Sequence, residues 1–526
     1  MLLEILIFLL PSLVAYYLYV YKKIHYKFQE HGVKFLPGLP LFGNTIKSTF
    51  LKNHIIQDLD IVYKAFPEER YVGYIELTTP IIVIRDPELI KQITVKDFDH
   101  FVNHREFFTE DLEPLFGASL LMMKGDRWRD MRTTLSPAFT GSKMRLMMPF
   151  MTEISKNIVE DLRDRVNKDL DLEDVMRRYT NDVIASAAFG LQVNSLKDRD
   201  NQFFLKGTEF VQLSQDYKDV FSLVAAMFPN FLKMLNVQLF PKATMNFFRD
   251  IVSNTMEQRE KHNIVRPDMI QLLMEAVKGT LNANSATEKE KDVGFATVHE
   301  EMKHNAVTRE WTQNELAGQV FIFFAAGFDT SSSTMTFLLH ELTINPDIQE
   351  KLYQEIKEFE ETRKSLTYDN IGQLKYLDCV LNELLRKWSA AIVMDREVTK
   401  SYELPPPHEG GKPYKLNPGD IIYNVVNSIH MDPKYYPEPD VFNPERFSEE
   451  NKHNIKPFTF MPFGIGPRAC IGTRFALLEM KVLVYYIILN YKLLKSAKTQ
   501  DPVKLKPMDF NLRVYDGSWV KLEARN

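Results

Sequence analysis

Residues Phe463-Gly464-Ile465-Gly466-Pro467-Arg468-Ala469-Cys470-Ile471-Gly472 form the stretch on which the interpretation of this 526-residue chain depends. Cys470 is one of only two cysteines, so a disulfide framework is not expected. An amphipathic, helix-favouring stretch begins at Thr473, which places Cys470 on a glycine-rich turn at a helix N-terminus. The N–H groups and the dipole at such a terminus stabilise negative charge. We therefore expect a thiolate at Cys470, with Arg468 able to hold an anionic group beside it.

Three interpretations of this turn are open. Gly464-x-Gly466-x-x-Ala469 formally matches a dinucleotide-binding fingerprint, but Pro467 lacks an amide that would cradle phosphate, and no strand–turn–helix unit opens here. The second interpretation is a structural cysteine buried in a tight turn, against which the density of glycine counts. The third is a thiolate donated to haem iron, where sulfur pushes electron density onto the metal and favours O–O cleavage.

The stretch matches every specified position of the signature Phe-x-x-Gly-x-Arg-x-Cys-x-Gly. It therefore resembles the haem-binding segment of the cytochrome P-450 superfamily. The resemblance implies a mainly α fold with small β-sheets (α+β), the cytochrome P-450 fold. It also implies haem b (iron protoporphyrin IX) as the cofactor and Cys470 as the metal ligand. Further cofactor-binding residues implied on this loop are Phe463, Gly464 and Arg468.

A second match lies in a predicted buried helix. Residues 316–328 are apolar on all sides and too short to span a membrane, which predicts a central helix that leads into Asp329 and Thr330. A threonine hydroxyl can bond back to the carbonyl one turn earlier, which explains Thr330 without a function, whereas a buried carboxylate needs a partner or water. Residues 326–331 resemble the oxygen-activation segment of the family. The resemblance implies that Asp329 and Thr330 are catalytic and relay protons.

Glu383 and Arg386 lie three residues apart on the polar side of a predicted helix, residues 371–388. At this spacing the residues alone suggest an ordinary exposed ion pair, worth about 0.2–0.5 kcal/mol. They also match the Glu-x-x-Arg motif of the family, and Arg446 in the stretch Pro-Glu-Arg-Phe (444–447) completes it. By resemblance, these three residues form a structural ion pair that shapes the loop supporting the haem.

Arginines that neutralise two haem propionates are also implied. Trp128 and Arg132 resemble the Trp-x-x-x-Arg of a helix that faces the propionates, although the spacing alone is more typical of a surface cation–π contact. Arg396 and Arg468 are the other candidates.

The substrate pocket is predicted to be apolar. Residues 388–391 read Trp-Ser-Ala-Ala where the family commonly has prolines, which implies a differently shaped loop beside the haem. The pocket residues predicted by segment are Phe101, Phe116, Phe324, Phe328, Ala391 and Val393.

The N-terminus is predicted to anchor the chain in a membrane. Residues 1–21 contain a single charge, Glu4, and about 20 apolar residues span a bilayer as a helix. Three lysines follow within residues 22–27, as expected at a membrane interface. A cleaved signal peptide would instead need basic residues before the apolar run. The predicted organisation is a single-pass transmembrane signal anchor at 1–21, a basic and proline-containing hinge at 22–45, and a haem-thiolate catalytic domain at 46–526.

The charge pattern predicts the location and the partners. Basic residues on the C-terminal side of the anchor place the catalytic domain on the cytosolic face, in our interpretation at the endoplasmic reticulum membrane. A net charge of −5 gives no reason to expect nucleic acid. Because the dinucleotide fingerprint fails and no flavin motif is found, electrons from NADPH are expected through a flavoprotein reductase. The other predicted partners are the lipid bilayer and a small apolar substrate.

Two further segments are predicted from composition. Residues 221–248 are rich in Phe, Leu and Met, which favours either core packing or a shallow second membrane contact. Residues 278–309 are polar and charge-dense, which predicts a mobile, solvent-exposed loop.

The predicted function is a monooxygenase that inserts one oxygen atom from O₂ into apolar small molecules. The chain resembles insect microsomal members of the family that oxidise xenobiotics. Two alternatives remain open. A haem-thiolate isomerase or dehydratase would not need the proton relay of Asp329 and Thr330. A non-catalytic haem-based ligand binder would bind haem without consuming NADPH.

Overall fold

The computed structural model describes residues 2–50, 52–106, 109–216, 240–278, 293–298, 309–362, 365–507 and 511–525. Within these residues the chain is mainly helical and contains three small β-sheets, so the predicted fold class is confirmed. The predicted contact at 221–248 falls largely on residues 221–239, which lie outside the described part.

The α-helices are numbered here in chain order. They are α1 (Leu2–Glu30), α2 (Ile46–Thr49), α3 (Ile55–Ala65), α4 (Pro87–Lys91), α5 (Pro114–Gly117), α6 (Gly125–Leu135), α7 (Gly141–Leu162), α8 (Leu172–Phe189), α9 (Gln202–Asp216), α10 (Lys242–His262), α11 (Met269–Val277), α12 (Gln313–Ile344), α13 (Pro346–Thr362), α14 (Lys375–Lys387), α15 (Val426–His430) and α16 (Thr473–Asn490).

The strands are β1 (Tyr71–Glu76), β2 (Thr79–Ile84), β3 (Asp169–Asp171), β4 (Val393–Glu397), β5 (Tyr402–Leu404), β6 (Tyr414–Leu416), β7 (Ile421–Val425), β8 (Tyr491–Lys495) and β9 (Trp519–Ala524). The largest sheet has the order β1-β2-β7-β4, in which β2 and β7 run parallel and the other pairs antiparallel. The remaining sheets are β3-β9-β8 and β5-β6. Residues 80–86 are rich in β-branched side chains, which predicts a strand, and residues 80–84 form most of β2, with Ile81–Ile84 buried.

Helix α12 is the central helix predicted from residues 316–328, and it continues to Ile344. Thr312 begins it with a capping box formed with Glu315. The helix continues past Gly327 and Asp329, which are unfavourable by propensity, because it is packed against α8, α5 and α10. This packing fixes which of its faces can border a site.

Helix α1 and the residues after it pack on the large sheet. Phe28 is fully buried, and a Cβ on Gly73 of β1 would collide with its ring. Lys27 Nζ lies 3.2 Å from a carboxylate oxygen of Asp420. Among the helices of the described residues, none combines the length and the apolarity that crossing a bilayer requires.

Candidate active site

The backbone of the loop that carries Cys470 is held in a defined conformation. The Cys470 N–H donates to the carbonyl of Phe463 at 2.8 Å. Gly464 and Gly466 adopt φ angles of 77° and 74°, in the left-handed region that favours glycine. A Cβ on Gly466 would also collide with the carbonyl of Thr94. These glycines therefore let the loop backbone approach neighbouring groups closely. At Gly466 the neighbouring group is the backbone carbonyl of Thr94.

The Cys470 thiol borders an internal space. It is accessible to water, although the neighbouring Ala469 is buried, and the helix predicted after it begins at Thr473. Burial among protein atoms raises the pKa of the Cys470 thiol, while the Gly472 N–H, the Arg132 guanidinium and the Thr473 hydroxyl oppose this increase. The Gly472 N–H favours the thiolate, as the position at a helix N-terminus predicts, but in the protein alone desolvation outweighs this and the other favourable groups.

Arg468 carries a positive charge on the same loop, and its side chain is half-buried. Its guanidinium carbon lies 4.0 Å from the ring centre of Trp128, so Arg468 is a cation–π partner of this tryptophan. Burial lowers the pKa of Arg468 well below its usual value, and Arg396 and Arg132 lower it further. Its donors bind three backbone carbonyls, those of Val102 (2.9 Å), Leu120 (3.2 Å) and Met123 (2.7 Å).

Arg396 in β4 is a second cation in addition to Arg468, and its side chain is buried. It is 2% exposed, and its Nε has no hydrogen-bond partner among the described residues. Burial alone would raise the pKa of the adjacent Asp395, but His104, the Arg105 amide and Arg396 lower it to about 2. The Asp395 oxygens are already bonded to His104 Nδ1 at 2.9 Å and to the Arg105 N–H at 2.6 Å. Arg396 and Arg468 together therefore carry more positive charge than Asp395 neutralises.

One face of α12 is open although most of the helix is buried. Ala326 is exposed and Thr330, one turn later, is partly exposed. Thr330 Oγ1 donates to the Ala326 carbonyl at 2.6 Å, which is the back-bond expected of a helical threonine. Phe323 contacts Phe139 with ring centres 5.2 Å apart, and a Cβ on Gly472 would lie 3.8 Å from the Phe139 ring. Phe139 thus connects this part of α12 with the cysteine loop.

The Asp329 carboxylate is held by partners from outside its helix. It accepts hydrogen bonds from Asn511 Nδ2 and Arg513 Nη2, and Arg177 Nη2 lies 3.8 Å away. The buried Asp329 carboxylate needs a partner, and the C-terminal segment provides it through Asn511 and Arg513. Asp329 and Thr330 are adjacent in the chain but bind different groups.

Two of the predicted pocket residues belong to the core. Phe324 and Phe328 are 0% exposed and stack on each other with ring centres 5.3 Å apart. Phe324 also contacts Phe203 and Phe248, at 5.2 and 4.7 Å. At 3.6 residues per turn, these rings lie on the side of α12 opposite Ala326, which corrects their assignment to the pocket.

The other predicted pocket residues have different surroundings. Phe101 is 0% exposed and packs on Tyr402 at 4.9 Å, while Phe116 contacts Phe240 at 5.9 Å. Ala391 and Val393 are partly exposed at the beginning of β4. The next residue, Met394, has its sulfur 3.5 Å from the position of a Cβ on Gly464. Among the predicted pocket residues, Ala391 and Val393 therefore lie at or just before the beginning of a strand that contacts the cysteine loop.

Glu383, Arg386 and Arg446 come together in the core. Arg386 binds Glu383 through two nitrogens, each at 2.8 Å, and both side chains are 0% exposed, which excludes the ordinary surface pair. Arg446 Nε lies 3.4 Å from Glu383. Arg386 also donates to the carbonyls of His430 and Pro439, at 2.9 and 2.7 Å. The network joins α14 to the segment that precedes the cysteine loop.

Comparison with known proteins identifies the family. The model of the cytochrome P-450 family matches residues 33–518. The chain belongs to the cytochrome P-450 family. A probable cytochrome P-450 9f2 of Drosophila melanogaster is 42% identical over 95% of both chains. Cytochrome P-450 9e2 of Blattella germanica is 40% identical over 95% of this chain and 94% of its own length. The protein is therefore an enzyme of the cytochrome P-450 monooxygenase class.

The site fits the haem that the cytochrome P-450 family binds. Cys470 offers a thiol that borders an internal space, and thiols ligate metals as thiolates, so a metal cation would offset the desolvation that raises the pKa of this thiol. The excess positive charge around Arg468 and the unpaired Nε of Arg396 suit a group that carries carboxylates.

Several residues of this cytochrome P-450 site were not found from the sequence. They are Phe139, Asp395, His104, Asn511 and Arg513. Asn511 and Arg513 had only their polar side chains as a signal, because their contacts with Asp329 join residues that are distant in the sequence. His104 and Asp395 had no local signal, because their pairing joins residues that are distant in the sequence.

Proposed function

We propose that this cytochrome P-450 is a membrane-anchored haem-thiolate monooxygenase that inserts one atom of O₂ into small apolar molecules. The observation that carries the proposal is the Cys470 thiol on the loop of Arg468, where Arg468 and Arg396 together carry more positive charge than Asp395 neutralises. A haem bound there supplies the redox chemistry. The protein supplies the ligand, the charge that fixes the cofactor and the groups that move protons.

Each part of the chain has its own task in this proposal. Cys470 ligates the metal, and the loop residues Phe463 and Gly464 hold its backbone. Trp128, Arg132, Arg396 and Arg468 hold the anionic edge of haem b, with the Arg468 charge fixed in place by the carbonyls that it binds. Glu383, Arg386 and Arg446 hold the segment before the loop.

Thr330 and Asp329 deliver protons. The Thr330 hydroxyl lies on the open face of α12 and is oriented by its bond to Ala326. Asp329, one residue earlier, is held in place by its ion pair with Arg513. In this proposal the Asp329 carboxylate and the partly exposed Thr330 hydroxyl are successive stations for protons that move from the protein interior to the open face of α12.

The proposed partners follow from two features of the sequence. No flavin motif or intact dinucleotide fingerprint is found, and residues 1–21 are apolar. Electrons come from NADPH through a membrane-bound flavoprotein reductase. The apolar composition of residues 1–21 supports an anchor, with a hinge at 22–45 and the catalytic domain of residues 46–526 on the cytosolic face of the endoplasmic reticulum. The likeness to insect relatives supports a role in oxidising xenobiotics.

Reconstitution tests this function. Purified protein, loaded with haem and combined with a NADPH-dependent flavoprotein reductase in phospholipid vesicles, is given a panel of apolar compounds with NADPH and ¹⁸O₂. The proposal expects products that carry one ¹⁸O atom and NADPH consumption that depends on the substrate. Conversion of organic peroxides without NADPH would instead indicate the isomerase or dehydratase. Haem binding with neither activity would indicate a ligand binder.

A further inference from the structure

Residues 293–298, called here the clip segment, are packed against the protein within a stretch that the sequence predicts to be exposed. Val293 and Ala296 are 3% and 7% exposed. The segment closes a turn in which the Thr297 N–H donates to the Gly294 carbonyl at 3.0 Å, and the Gly294 N–H donates to the Thr297 hydroxyl at 3.2 Å. For Val293 and Ala296 the prediction of solvent exposure is wrong, because part of the segment is apolar and has a surface to pack against, whereas the Phe295 side chain is 42% exposed.

Polar contacts fix the clip segment to α14 and α16. Lys481 of α16 has a side chain only 1% exposed; its Nζ lies 2.8 Å from Asp378 Oδ1 and also donates to the Val293 carbonyl. The other oxygen of Asp378 accepts the Phe295 N–H at 3.0 Å. A Cβ on Gly294 would collide with the Asp378 carboxylate. A buried ammonium group needs these acceptors, so the clip segment completes the coordination of Lys481.

An aromatic contact continues from the clip segment to the cysteine loop. The Phe295 ring lies 5.8 Å from both Phe447 and Phe460, which are 4.8 Å from each other. Phe447 directly follows the arginine that completes the buried ion pair. Phe460 stacks on His430 at 5.5 Å, and His430 Nε2 accepts the N–H of Met461, at the beginning of the cysteine loop.

We propose that the clip segment is a positioning element for Cys470. The clip segment contacts Phe447 and Phe460, which precede the loop that carries Cys470, and it is also bonded to α14 and α16. It therefore limits the movement of this loop. Gly294 and Phe295 are positioning residues. The proposal rests on the proposed function, because the ligand role of Cys470 belongs to that function.

The test follows the thiolate bond in the haem-loaded enzyme. The ferrous–CO complex has a red-shifted Soret band while a thiolate is bound, and the rate at which this band is lost is measured at a fixed, mildly elevated temperature. Phe295→Ser removes the ring contacts and Gly294→Val displaces the segment from Asp378. We expect both variants to lose the band about tenfold faster than the wild type, which corresponds to about 1.4 kcal/mol. Phe295→Tyr keeps the ring and is expected to restore the wild-type rate.

Phe50→Ser is the matched control, since Phe50 is 56% exposed and contacts Phe42 away from the loop. Hydrogen exchange of the Met461 and Cys470 amides in the folded holoenzyme is a second readout, expected to accelerate in Phe295→Leu, a milder change that retains an apolar side chain. Wild-type rates of band loss in Phe295→Ser and Gly294→Val, or unchanged exchange in Phe295→Leu, overturn the positioning role. A wild type that never shows the red-shifted band contradicts the proposed function instead.

Discussion

At the scale of single residues, burial sets the charge of groups in and around the site. Burial raises the pKa of Cys470 and lowers that of Arg468. Glu479 in α16 is 0% exposed, and neither of its carboxyl oxygens has a hydrogen-bond partner among the described residues. Burial raises the pKa of Glu479 to about 8, and the nearby Ser331 hydroxyl lowers it only in part. Glu479 is therefore protonated in the folded protein at neutral pH.

Glu479 is expected to make stability fall as pH rises. Between about pH 4.5 and 8 the folded state holds a proton that the unfolded chain has lost, so the free energy of unfolding decreases by about 1.4 kcal/mol per pH unit from this group. Glu479→Gln carries no such proton. We expect this variant to gain about 2 kcal/mol over the wild type between pH 6 and pH 8, measured by denaturant unfolding. Parallel pH profiles for the two proteins would contradict the protonated state.

Thr330→Ala tests the proton relay at the open face of α12. Proton transfer by a positioned group contributes roughly 10²–10⁴-fold, so we expect product per NADPH to fall by at least about tenfold. Haem content should stay unchanged, and the unused electrons should appear as hydrogen peroxide. Thr343→Ala is the matched control, because Thr343 makes the same back-bond at 2.7 Å in the same helix but is buried. If Thr330→Ala and Thr343→Ala form the same amount of product per NADPH, a proton relay through Thr330 is excluded.

At the scale of elements, a buried ion pair fixes α14 against the segment before the cysteine loop. Glu383 accepts from Arg386, Arg446 and the Asn443 N–H, at 2.8 to 3.4 Å. Removal of one partner leaves the other charges buried without compensation. The network therefore joins α14 to residues 439–446, and loss of one member is expected to destabilise the protein.

Glu383→Gln is expected to destabilise the protein by about 3–5 kcal/mol, because the guanidinium of Arg386 would stay buried without its counter-ion. Glu160→Gln provides the comparison, since Glu160 forms an ion pair with Arg163 at the same three-residue spacing with both side chains more than 60% exposed. We expect its effect to stay within about 0.5 kcal/mol. Both values come from denaturant unfolding, and similar values for the two variants would contradict the structural role of Glu383.

Helix periodicity predicts elements better than it predicts their surroundings. The apolar run at 316–328 gave the central helix α12, and the β-branched run at 80–86 gave β2. The same periodicity placed Glu383 and Arg386 on a polar, exposed side, because a helical wheel does not show that residues 439–446 cover this side. Phe324 and Phe328 were assigned to the pocket for their aromatic character, although their position around α12 places them in the core.

At the scale of the whole molecule, the fold brings distant segments to one cysteine. Arg468 binds carbonyls of residues 102, 120 and 123, Arg396 comes from β4, and Phe139 connects α12 with the loop. The signature around Cys470 predicted the family and the ligand. The clip segment and the partners of Asp329 could not be predicted, since each depends on contacts across more than 80 residues of sequence.

The most direct test of the account compares the two cysteines in the ferrous–CO spectrum. Cys379 is 7% exposed, and burial raises the pKa of its thiol to about 12, so it is a structural cysteine and a matched control. We expect Cys379→Ser to keep the red-shifted Soret band of the wild type and Cys470→Ser to lose it, with the helical content of both unchanged by circular dichroism. A red-shifted band that persists in Cys470→Ser, or that disappears in Cys379→Ser, would contradict the assignment of Cys470 as the metal ligand.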